Sequence, residues 1–200
     1  MKNPFLCKNL LHSCFGLLLL FFIVYSFNQI TRAKEYQVIT KKLENIFQEK
    51  GFGYTIRYPA DWVYAKSSPY IVIFSGQEGT DAFYSTISIQ NIASKKRGGK
   101  YENIDSFVAD LKNQLITSAK NTKIYKEKPL AYEKNWVKLT GKEFVAEYIR
   151  QGEHFKQWVI VIKRDSGEIF YAWIYTAPEN LYNSYLPVAE AMLDSWTIIE

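Results

Sequence analysis

Cysteine is confined to Cys7 and Cys14 of this 200-residue chain, and histidine to His12 and His154. From residue 15 onward there is no thiol, so a disulfide, a cysteine nucleophile and a cysteine-ligated zinc are all excluded there. A Ser-His-acid triad would have to use His154, which stands beside Gly152 in a hairpin turn and reads as a solvated surface residue. The chain contains no Gly-x-Ser-x-Gly and no His-Glu-x-x-His. Gly98-Gly99-Lys100 lacks the Ser/Thr and the helix that a phosphate loop requires. Without a constellation for catalysis, the chain is expected to be non-enzymatic. Stability of the folded part has to come from packing, and the composition supplies it: 48% of residues are hydrophobic and 16% are aromatic.

Acidic residues are missing from the first thirty-four positions; Glu35 is the first. Lys2 and Lys8 precede an uncharged run from Phe15 to Phe27, a basic n-region followed by an h-region. The strict run is short for a bilayer span of roughly twenty residues, but Leu10 to Ile30 reaches that length. Residues 1–33 therefore read as a cleaved secretory signal, cut after Ser26 or Ala33, or as an uncleaved anchor. Either places the remainder on the extracytoplasmic side, with the basic leading end inside. Cys14 lies ahead of the apolar run, contrary to a lipoprotein signal; acylation of Cys7 or Cys14 is a further route to a membrane.

Strong charge of one sign is absent as well. The net charge of +5 includes Lys2, Lys8 and Arg32, and the body beyond them is nearly balanced. A nucleic-acid partner is not implied. One local excess stands out: Lys95, Lys96, Arg97 and Lys100 fall in six residues on a Gly-bearing loop. These four are the candidate docking residues for an acidic partner or anionic headgroups. No aromatic side chains interleave them for base stacking.

Metal-site spacing is poor too. Glu78 with Asp81, and Asp165 with Glu168, are the loop acids close enough to begin a calcium site, and neither resembles a twelve-residue calcium loop. Glu143 and Glu147 share a strand face but stand roughly 13 Å apart. Asp61 follows Pro59 in a turn, where its side chain suits backbone hydrogen bonds.

Periodicity then gives an element order. Residues 34–50, with Val38, Ile39, Leu43, Ile46 and Phe47 at helical spacing, predict a linker carrying a short amphipathic helix. A folded domain follows over 51–200. Tyr54–Tyr58 alternates up to Pro59 as a first strand. Tyr70–Phe74 predicts a strand covered on both faces, and Phe83–Gln90 a strictly alternating one with Phe83, Ser85, Ile87 and Ile89 on one side. Ile104, Phe107, Val108, Leu111 and Leu115 form a helix stripe capped by Asn103 or Asp105. Residues 142–150, 155–163 and 168–176, joined by short Gly-bearing turns, predict a three-stranded antiparallel meander. Its middle strand is apolar on both parities at Trp158–Ile162 and needs cover on both faces. A closing helix carries Leu181, Tyr185, Val188 and Met192, with Pro187 kinking it or starting its second half. A last short strand follows at Trp196–Ile199. Trp62, Trp136, Trp158, Trp173 and Trp196 are expected mostly in the core; Tyr171 and Tyr175 either join it or line a cleft. The fold class is α+β: an antiparallel sheet with helices packed on its faces, preceded by the amino-terminal hydrophobic helix.

Four segments in order resemble the PsbP-like superfamily. Gly53-Tyr54-Thr55-Ile56-Arg57-Tyr58-Pro59-Ala60-Asp61-Trp62 is similar to its opening strand and turn. Phe144-Val145-Ala146-Glu147-Tyr148 is similar to its central strand. Gly167-Glu168-Ile169-Phe170-Tyr171 with Thr176-Ala177-Pro178-Glu179 resembles its last hairpin. Asp194-Ser195-Trp196-Thr197-Ile198 resembles its ending, where Phe is commoner than Trp. The resemblance implies an α/β/α sandwich over residues 51–200. It also implies a non-enzymatic accessory role at a membrane complex, photosystem II in a photosynthetic host, with calcium as the one cofactor the family suggests. The chain lacks the lipobox cysteine of the cyanobacterial type. The competing expectation is a small-ligand or sensor module using an aromatic-lined cleft.

Overall fold

In the computed structural model, residues 43–164, 166 and 168–199 are described; the leader and its hydrophobic run lie outside them. Among the described residues, no helix is long and apolar enough to cross a membrane.

Among the described residues, ten strands and two helices build the fold. Strands β1 (Asn45–Glu49), β2 (Tyr54–Tyr58) and β10 (Thr197–Ile198) form a three-stranded sheet in the order β1-β2-β10. Strands β3 (Trp62–Ser68), β4 (Ile71–Gly76), β5 (Thr86–Ala93), β6 (Lys120–Lys134), β7 (Val137–Arg150), β8 (Glu153–Arg164) and β9 (Ile169–Pro178) form a seven-stranded one, ordered β3-β4-β5-β9-β8-β7-β6. Every pairing between these strands is antiparallel. Helix α1 (Ile104–Ser118) and helix α2 (Glu179–Ser195) complete the order.

The meander β7-β8-β9 is as expected, and its first turn shows why. Arg150 pairs with Glu153, leaving Gln151 and Gly152 as a two-residue loop, both at positive φ; that backbone twist suits antiparallel strands. Val159 to Ile162 are buried on both parities, and Ile169 to Tyr175 of β9 likewise. The two faces have different cover. On one, α1 lays Phe107, Val108, Leu111 and Leu115 against Phe144, Ala146, Val159, Val161, Phe170, Ala172 and Ile174. Asn103 opens α1 with a capping box: Ser106 N–H donates to Asn103 Oδ1 at 2.9 Å and Asn103 N–H to Ser106 Oγ at 3.3 Å. On the other face, Tyr182 of α2 packs on Tyr175, and Tyr54 and Trp196 pack edge-on against Tyr171. A helix on each face of an antiparallel sheet is the expected sandwich; the small sheet shares one face with α2.

Several expectations are corrected. Asn45–Glu49, placed in an amphipathic helix, is strand β1, so packed residues reach ahead of Gly51, to Leu43 among the described residues. Leu43 and Phe47 are buried, and their spacing of four is even, hence equally compatible with one face of a strand. Strand β4 is fully buried only on the Val72 and Phe74 side. Strand β5 starts at Thr86, because Asp81–Tyr84 forms a 3-10 turn that leaves Phe83 exposed. On α2 the fully buried set is Tyr182, Ala189, Ala191 and Met192; of the predicted stripe only Met192 belongs to it. Pro187 lies inside α2, where its missing N–H leaves a backbone carbonyl without its usual donor. Trp62, Trp173 and Trp196 are buried and Trp158 half-buried, but Trp136 is fully exposed.

Candidate docking surface

The four predicted cations do not sit on a loose loop. Lys95–Arg97 forms a 3-10 turn, closed by Gly98 at φ 80°. Ser94, itself buried, ties the turn down: its N–H donates to the Glu168 carbonyl at 2.9 Å and its hydroxyl to the Glu168 carboxylate at 3.0 Å. Lys95 N–H donates to the Tyr101 carbonyl and Gly99 N–H to that of Ser94. Residue 99 has to be glycine, since a Cβ there would lie 1.8 Å from the Ala93 carbonyl oxygen.

Their charges are partly answered from within. Lys96 pairs with Glu168 at 3.1 Å, and Lys163 reaches the same carboxylate at 3.5 Å. Lys100 pairs with Asp110 of α1 at 2.8 Å and lies over the Tyr101 ring. The Lys96 and Ser94 hydrogen bonds hold the Glu168 carboxyl below its usual range. The Lys95 and Lys96 ends of the turn face outward, and the cations still outnumber Glu168, Asp110 and the exposed Glu102. Sequence reasoning missed Glu168, Lys163 and Asp110 as members of this group, because sheet pairing and helix packing bring them in from remote positions. Asp165, the expected companion of Glu168, lies outside the described residues.

Hydrogen bonds from Lys100, Tyr101 and Gln114 hold the Asp110 carboxyl at about 2, below its ordinary 3.8. Burial, then the bond to Asp110, pushes the Tyr101 hydroxyl up to about 12. A carboxyl depressed by folding stabilises above its unfolded value and loses that contribution as pH falls through the folded one. Carbon NMR should therefore find Asp110 titrating near 2, with the contacts to Lys100 and Tyr101 intact at neutral pH and lost only in that acid window. An Asp110 midpoint close to 3.8 would contradict this arrangement.

Glu143 and Glu147 are each engaged by neighbours. Glu143 accepts from Trp158 Nε1 at 3.0 Å and pairs with Lys128 at 2.7 Å. Glu147 accepts from the Tyr125 hydroxyl, which leads the lowering of its carboxyl, and pairs with Lys156 at 3.3 Å. Among the described residues no three His, Cys, Asp or Glu side chains gather as a metal site. Tyr171 and Tyr175 have no exposed surface and belong to the core, not to a cleft. His154 is surface-exposed, 3.8 Å from Glu179. Two open grooves, of about 570 and 810 Å³, share His154 and Glu179 at the start of α2. Asp81, Glu147, Glu153 and Lys123 add to their walls, which are thus charged.

No family model matches the chain, and no curated protein does. Solved structures do. The solution structure of cyanobacterial PsbP from Synechocystis sp. PCC 6803 is 11% identical at a TM-score of 0.50, over 78% of this chain and 92% of that one. LpqN of Mycobacterium tuberculosis, described as involved in cell envelope biogenesis, is 12% identical at 0.52, over 78% and 90%. A Pseudomonas aeruginosa protein of unknown function is 13% identical at 0.50, over 78% and 96%. At such identities the likeness is one of fold. The chain has a PsbP-like α+β fold.

Proposed function

We propose that this chain is a non-enzymatic accessory protein that works outside the cytoplasm and docks on a membrane protein complex. The observation that carries the reading is the Ser94–Tyr101 turn, whose basic side chains stand on a backbone fixed by Ser94, Gly99 and Glu168. A pre-ordered basic patch loses little conformational freedom when it meets an acidic surface, and it steers encounter. The leader, read as a signal or anchor, would supply the compartment. The solved structures of like fold include a PsbP and a protein involved in cell envelope biogenesis, which is compatible with such a role. A complex of photosystem II type is the form this takes if the host is photosynthetic. The ligand-cleft alternative is less well supported, since the tyrosines it needs are in the core.

Crosslinking in native membranes followed by pull-down should recover a defined complex. Lys95→Glu is expected to reduce that recovery about tenfold, and raised salt to weaken it, because exposed charge pairs are screened within roughly 10 Å at 0.1 M salt. Recovery unchanged by the charge reversal would remove the turn from the interface. No complex at native expression would remove the accessory role itself.

A further inference from the structure

The hairpin joining β6 to β7 ends in a residue whose placement packing does not explain. Lys134 pairs with Val137, so Asn135 and Trp136 alone make the turn, at φ 48° and 69°. Glycine is the usual second residue of such a turn, since left-handed backbone is costly for other side chains. Here that position holds a tryptophan, and the whole residue is exposed. A strained backbone supporting a fully hydrated indole gains nothing for the fold.

The stalk beneath it is firm. Lys134 Nζ donates to the carbonyls of Leu193 at 2.9 Å and Asp194 at 2.7 Å, clamping the hairpin to the end of α2. Tyr132 accepts from Ile198 N–H at 2.8 Å. Pairing of β7 with β8 stops at Gly141. The ribbon from there to Trp136 therefore runs on about 15 Å without that neighbour, at roughly 3.3 Å per residue. The hairpin is also basic: Lys120 to Arg150 contains seven lysines and Arg150 against Glu127, Glu133, Glu143 and Glu147.

We infer that the β6–β7 hairpin is a membrane-interface anchor, Trp136 entering the headgroup region of an anionic bilayer while the exposed Lys138 beside it meets the phosphates. Indole rings favour that depth, having an apolar body and a polar N–H. Lysine is attracted to an anionic surface, whereas it is depleted at protein–protein contacts. A protein hot spot would also need a surrounding rim to exclude water, and Trp136 is flanked by Asn135, Lys134, Lys138 and Glu133. The inference stands apart from the proposed docking complex, because the basic turn takes no part in it.

Trp136 can be read separately in the full-length chain as the difference in fluorescence between the native protein and Trp136→Phe. The chain is mixed with phosphatidylcholine vesicles, with or without phosphatidylglycerol, carrying bromine-labelled acyl chains. The Trp136 signal should shift to the blue and be largely quenched in the anionic vesicles, and much less in the neutral ones. Trp136→Gly should reduce co-sedimentation of the chain with the anionic vesicles about tenfold yet raise the unfolding midpoint by about 2–4 °C, as relief of the left-handed strain predicts. A Trp136 that stays open to aqueous acrylamide with anionic vesicles present would overturn the inference. So would protection that arises only on adding membrane proteins, which would assign the tip to a protein partner.

Discussion

Phe47→Ala should lower the unfolding free energy by about 3–5 kcal/mol, while Ile46→Ala beside it should change it by less than about 0.5 kcal/mol. Phe47 is buried and its ring meets Phe74 edge-on at 5.5 Å and Tyr64 at 4.9 Å. Ile46 is 58% exposed. That contrast between neighbours is the mark of a strand, whose side chains alternate across the sheet. On the amphipathic helix anticipated for this segment, both residues would lie on the apolar stripe and both truncations would be costly. Chemical denaturation of the two variants separates the cases. A chain cut at Gly51 would lose Leu43 and Phe47 together, a large fraction of the about 5–15 kcal/mol that holds a domain folded.

The same two residues show where pattern reading stops. Leu43 and Phe47 are four apart, a spacing that serves a helix turn and a strand face alike; only the exposure of Ile46 decides. The meander was readable because its strands are apolar and bounded by turns, with the centres of β8 and β9 buried on both sides. Strands β3 and β6 were not, because each is the outer strand of the large sheet. In β3 only Trp62 is buried, and β6 carries Lys120, Lys123, Lys126, Lys128 and Pro129, the residues that blunt an exposed edge. Such strands are defined by a neighbour's backbone and leave little trace in hydropathy. The candidate site divides likewise. Lys95–Lys100 stood out as a cluster in sequence, while Glu168 and Asp110 were invisible as its partners. Trp136, expected in the core, sits at a two-residue turn that the Asn135-Trp136 pair did not announce, since glycine usually marks that place.

A second large effect is expected where the end of the chain closes the fold. Trp196→Ala should cost about 3–5 kcal/mol, near the upper range for a truncated core aromatic. Trp196 has no exposed surface, and its ring lies 5.9 Å from that of Tyr171, 6.2 Å from Tyr132 and 6.3 Å from Tyr54. It therefore joins the large sheet, the small sheet and the outer hairpin at the point where α2 ends. The backbone is held there as well: Trp196 N–H donates to the Met192 carbonyl at 3.0 Å, and the Trp196 carbonyl accepts from Tyr132. Removing the ring opens a cavity among groups that the sheets hold apart, so collapse cannot fill it. Among the described residues the indole Nε1 has no hydrogen-bond partner, so Trp196→Phe loses ring area but also relieves a buried polar group. That replacement should cost under about half as much as the alanine. Equal losses for the two variants would mean that the indole itself, and not filled volume, secures the closing turn.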